Sequence, residues 1–170
     1  MADESTGISR GGKEAEERFM VITGATPTAR AALGDAVLDG ITVEIKHTKK
    51  TETLNQVRAV KYIPLVVWIS GEDAWYVIPA HRIVAIVSGR TRGQHTENPF
   101  ESATLNLKHL DDFRLESEAD LAAAVARRAK ESAAYPQLKK EMDRVLAEAR
   151  ERAASDIERV TGVLVQLDLL

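Results

Sequence analysis

The sequence predicts an α/β fold, a mixed β-sheet flanked by helices with a C-terminal helical extension, on three observations. Residues Gly34 to Lys46 alternate apolar and polar side chains around Asp39-Gly40, the dipeptide that best supplies the positive φ angles of a two-residue hairpin loop. Leu65-Val66-Val67-Trp68-Ile69 is an uninterrupted apolar run of strand length, as expected of a strand covered on both faces. Helical periodicity precedes these strands and returns after Ser117.

Taken in order, residues 1 to 11 read as a mobile polar tail. A helix is expected from Gly11 to Gly24, with Ala15, Phe19 and Ile22 on one face and Gly24 as its stop. The hairpin follows. Thr53 to Tyr62 then reads as a short helix, capped by Thr53, with Leu54, Val57, Val60 and Ile63 as its buried stripe and Ile63-Pro64 ending it. After the apolar run, Ser70-Gly71-Glu72-Asp73 turns the chain, and Ala74 to Ile78 returns as an antiparallel partner. A helix starts after Pro79 and a polar loop spans Arg90 to Pro99. Ala103 to Leu107 alternates like an edge strand.

Ser117-Glu118-Ala119-Asp120 resembles a capping box before an Ala-rich helix that breaks at Tyr135-Pro136. A second helix carries Leu138, Met142, Val145, Ala149, Ala153 and Ile157 along one side, with Gly162 as its end and Val163 to Leu169 as a final strand. The domain reading is a core over 12–115 and a helical extension over 116–170, which packs on the core or forms a dimer interface.

If Asp39 and Gly40 are the loop, Leu38 faces Ile41, Val37 faces Thr42, Ala36 faces Val43 and Asp35 faces Glu44. One face is then apolar, with Ala36, Leu38, Ile41, Val43 and Ile45. The other carries Asp35, Thr42, Glu44, Lys46 and Thr48. Directly opposed carboxylates repel. A hard divalent cation relieves the repulsion, since Mg²⁺ is held by one or two carboxylates with waters and phosphate oxygens. Lys46 lies two residues beyond Glu44, where an ammonium stabilises a nascent hydroxide or the charge building on a phosphate.

Asp35, Glu44-Ile45-Lys46 and Gln56 resemble the PD-(D/E)XK nuclease superfamily, whose signature is an acid, then Asp/Glu-x-Lys on the next strand, then often a Gln on the following helix. The likeness is greatest to type II restriction endonucleases; Holliday-junction resolvases and recombination exonucleases share the pattern. No Pro precedes Asp35, its neighbour being Gly34. The resemblance implies a Mg²⁺-dependent DNA endonuclease, with Mn²⁺ as a substitute ion, in which Asp35 and Glu44 hold the metal and Lys46 serves the attacking water. It also implies a further acid from the first helix, for which Glu17 is the choice and Glu14 and Glu16 are rivals. Gln56 would orient the phosphodiester, and Arg58 and Lys61 would hold its backbone by charge-assisted bonds.

The formal net charge of −3 is no signature of a DNA binder, but its distribution is uneven. Lys46, Lys49, Lys50, Arg58 and Lys61 are opposed only by Glu52, and Arg90, Arg92 and Gln94 lie in a loop whose side-chain types read base edges. The absence of cysteine excludes disulfides and thiol nucleophiles and fits a cytoplasmic protein. His47, His81, His95 and His109 lack zinc-like spacing. No apolar run reaches membrane-spanning length, so DNA is the expected partner and a membrane is not. A homodimer is attractive because duplex cleavage needs two symmetry-related sites.

Overall fold

Side chains alternating across a mixed sheet divide the core into two layers. In the computed structural model, which describes residues 10–50 and 53–166, the helices are α1 (Arg10–Thr23), α2 (Ala80–Ser88), α3 (Leu121–Ala133) and α4 (Pro136–Gln166). The strands are β1 (Thr26–Pro27), β2 (Ala36–Leu38), β3 (Ile41–Thr48), β4 (Thr53–Val57), β5 (Leu65–Ile69), β6 (Ala74–Ile78) and β7 (Ala103–Asn106). The main sheet runs β1-β2-β3-β5-β6, and β4 and β7 form a separate ribbon. Among the described strands only the β3–β5 pair is parallel; its neighbours are antiparallel.

Three of the four predicted hairpin pairs form, Leu38 opposite Ile41, Val37 opposite Thr42 and Ala36 opposite Val43, while Asp35 lies just before the ladder with its N–H on Val43 O. Asp39 and Gly40 both adopt positive φ, at 49° and 80°. Every residue of β5 and β6 is buried, so the apolar run is indeed covered on both faces. On one face Val66, Trp68, Trp75 and Val77 pack with Ala15 and Phe19 of α1 and with Leu121, Ala124 and Val125 of α3. On the other, Leu65, Val67, Ile69, Tyr76 and Ile78 meet α2, the β4–β7 ribbon, and Met142 and Leu146 of α4. This is period-2 alternation expressed as two half-cores.

Three expectations are corrected. Thr53 to Tyr62 is not a helix: it is strand β4, then a 3-10 turn at Ala59–Lys61. Between the pairs Leu54–Leu105 and Val57–Ala103 the ladder shifts, leaving Asn55 and Gln56 opposite the single residue Thr104. Such a bulge places residues three apart on one strand face, which counterfeits helical spacing. Gln56, within the bulge, has φ 54°.

The last helix does not stop at Gly162 but continues to Gln166, so Val163 to Gln166 are helical; the remainder of the expected strand lies outside the described residues. One interior glycine costs about 1 kcal/mol, too little to end a helix of this length. The first helix starts at Arg10, inside the segment expected to be tail; residues 1–9 lie outside the described part. The expected edge strand forms as β7, in the ribbon rather than the main sheet.

The predicted break between the last two helices is present: Tyr135 N–H donates to Ser132 O at 3.1 Å, and Pro136 opens α4, where its missing N–H is harmless. Ser117 Oγ accepts from Ala119 N–H at 3.2 Å. No helix among the described residues is long and apolar enough to cross a membrane.

Candidate functional site

Acids and lysines from four segments meet at the rim of the hairpin. Asp35 sits just before β2, its N–H donating to Val43 O at 2.9 Å. Gly34 makes that approach feasible: a Cβ there would lie 2.6 Å from Thr42 Cγ2 and 2.8 Å from Val43 O. On β3, Glu44 and Lys46 point to the same side because they are two residues apart. The 3-10 turn after β4 brings Lys61, and α1 brings Gly12 and Glu16. Together with Ala31, Gln56 and Arg58, these residues line a cavity of about 430 Å³.

The electrostatics of the three acids differ. Asp35 Oδ2 accepts from Ile45 N–H at 2.6 Å, and among the described residues Asp35 makes no ion pair. Burial raises its pKa, an effect the Ile45 bond opposes and the nearby Glu44 charge reinforces. Glu16 is also raised, first by burial and then by the charge of Asp35. Glu44 is the most buried, its side chain 8% exposed. Burial alone would raise its pKa, yet the Lys61 hydrogen bond and the charges of Lys46 and Lys61 prevail and hold it below the usual carboxylate range. Lys61 Nζ pairs with Glu44 Oε2, and Lys46 Nζ lies 3.1 Å from Oε1.

The repulsion expected between Asp35 and Glu44 is therefore met within the chain, by Ile45 N–H and two ammonium groups, without requiring an ion. A helix over Thr53 to Tyr62 would present Lys61 as a phosphate contact; the 3-10 turn instead sinks it against Glu44. Among the described residues no group of three or more His, Cys, Asp or Glu is spaced to hold a metal ion. Asp35 and Glu44, with Glu16 alongside, are hard-oxygen donors of the kind Mg²⁺ takes when it keeps most of its water.

The choice of Glu17 is also corrected. Its side chain is 63% exposed and pairs with Lys13 across one helical turn, as its position opposite Ala15 and Phe19 dictates. Glu16 lies beside that stripe, about 100° from Ala15, and so reaches the cavity. Helical phase was the available signal.

The other predicted contacts divide by place. Gln56 and Arg58 line both the acid cavity and a neighbouring one of about 370 Å³, which also takes in Gln94, His95 and Thr96. His95, Thr96 and Arg92 belong in turn to a third cavity of about 560 Å³. The shared residues make the three cavities neighbours. Gln56 N–H donates to Gln94 Oε1 at 2.8 Å, tying the 90–99 loop to the bulge. Arg90 instead faces α4, and Lys49 and Lys50 are exposed at the end of β3 and line none of these three cavities. No protein-family model matches the chain, and no curated protein resembles it at a significant level.

Proposed function

We propose that the protein is a Mg²⁺-dependent DNA endonuclease of the PD-(D/E)XK type. The observation that carries the reading is the convergence of Asp35, Glu44 and Lys46 in one cavity, with Glu16 beside them and Gln56 and Arg58 shared with the neighbouring cavity. Asp35 and Glu44 would hold the ion with water completing its shell, and Glu16, rather than Glu17, lines the same cavity. When bound, Mg²⁺ supplies Lewis-acid polarisation of the phosphodiester. Lys46, its side chain 27% exposed on the cavity side of Glu44, orients the attacking water and stabilises the charge that develops on the phosphate. Gln56 and Arg58 hold the phosphodiester, and Gln94 and Arg92 offer further contacts from the neighbouring cavities. Cutting both strands calls for two such sites, which a symmetric pair of chains supplies.

A restriction enzyme is the leading role, with a junction resolvase or repair nuclease as the nearest rival. A different class, a module that binds DNA without cutting, draws support from the Glu44 carboxylate already being engaged by two lysines. One experiment separates these: plasmid and four-way-junction DNA are incubated with the protein and Mg²⁺, or with a chelator. Discrete plasmid fragments in Mg²⁺ alone indicate restriction, and selective junction cutting indicates a resolvase. Binding without cleavage of either substrate rejects the enzyme.

A further inference from the structure

The Glu44–Lys61 pair is unusual for its setting, and the inference drawn from it rests on the metal-nuclease reading above. Both side chains are 8% exposed, so the pair is shielded from water, where a lone charge is costly. Glu44 Oε2 is given to Lys61 and Oε1 to Lys46, so a cation arriving at this carboxylate meets two ammonium groups already in contact with it. Lys61 also has somewhere to go. Its Nζ is already 3.4 Å from the carbonyl of Ala31, and Ala31, Gln56 and Arg58 line the same cavity. A side chain with four rotatable bonds can leave the carboxylate without leaving the site.

We propose that Lys61 is the resident counter-ion of Glu44 and exchanges with the divalent cation, so that metal binding turns its ammonium from the carboxylate toward the phosphodiester. The exchange keeps Glu44 compensated at every stage: by Lys61 in the empty protein and by the ion in the loaded one. It also couples the two ligands, because the released ammonium joins Arg58 beside the polyanion.

The test uses Mn²⁺ as probe, with binding to the intact chain followed by electron paramagnetic resonance in the absence of DNA. Lys61→Met removes the competing charge and keeps the bulk, and its Mn²⁺ affinity should rise about tenfold, a coupling of ordinary size for two ligands competing at one site. Glu44→Gln should lose most Mn²⁺ binding. A second measurement needs no variant: the slowly exchanging ¹⁵N ammonium resonance of Lys61 in the wild-type protein should disappear as Mg²⁺ saturates the site. Folded Lys61→Met with wild-type or weaker affinity overturns the exchange, as does an ammonium resonance unmoved at saturating Mg²⁺. Wild-type protein that takes up no Mn²⁺ overturns the exchange and the metal reading together.

Discussion

Two of the charged clusters among the described residues contrast, one a clamp and the other the candidate site. At one, Arg18 of α1 donates to Asp73 in the β5–β6 turn and to Glu118 before α3, both at 2.8 Å, with its guanidinium 4.9 Å from the Trp68 ring centroid. Asp73 and Glu118 are 65% and 48% exposed, and each finds its charge met by the same arginine. The hydrogen bond from Arg18 holds Asp73 below the usual carboxylate range. At the other cluster, Glu44 is buried and doubly paired while Asp35 and Glu16 are pushed upward by burial beside a cavity. The first cluster joins three segments and is complete. The second holds acids whose environments pull their pKa values apart, a pattern shared by functional sites and structural ion-pair networks.

The largest expected effect breaks that contrast directly. Lys46→Ala should lower cleavage by about a thousandfold while leaving DNA binding within a few-fold, whereas Arg18→Ala should leave cleavage per folded molecule nearly unchanged. Turnover and gel-shift assays on both variants measure this; equal loss of binding and cleavage in Lys46→Ala would make that lysine a plain phosphate contact.

Stability is the next lever. Glu44→Gln strands the Lys61 charge and should cost about 3 kcal/mol by denaturant titration, against less than about 1 kcal/mol for Glu118→Gln at the exposed clamp. Acidification sharpens the comparison through opposite signs. The Glu44 pKa is lowered by folding, so its contribution is complete above the ordinary glutamate range and is lost as pH falls through the folded-state value. The Asp35 pKa is raised, so its ionisation costs stability as pH rises through the folded-state value. Asp35→Asn should therefore stabilise the protein at neutral pH and lose the stabilisation in acid, while abolishing metal-dependent cleavage. A destabilised Asp35→Asn at neutral pH would contradict the burial account.

The smallest effect sits on adjacent residues of one helix. Glu16→Gln should reduce cleavage about tenfold at limiting Mg²⁺, and Glu17→Gln should change nothing. The reverse result would mean that α1 presents its other flank to the cavity.

Short-range chemistry made the hairpin legible in advance: Asp39-Gly40 specifies its own turn type, and a two-residue loop leaves one register for every pair behind it. The apolar β5 was equally plain. Leu54 and Val57 misled because their spacing suits a helix and a bulged strand alike, and only the partner strand, nearly fifty residues on, decides between them. The error spread to the site, since a helix puts Lys61 toward solvent and the 3-10 turn puts it against Glu44. Burial of a lysine beside a carboxylate is a long-range fact that no local pattern records. The polar residue types at Gln56, Gln94 and His95 are legible in the sequence, whereas the hydrogen bond that ties Gln94 to the bulge is not.

Gly34 has a reach out of proportion to its size. Only a hydrogen atom fits between its backbone and the neighbouring strand, so any replacement must prise the hairpin open at the point where the first acid is held. A change there would disturb the candidate site while sparing every acid and lysine in it, and a survey of those side chains alone would miss the defect.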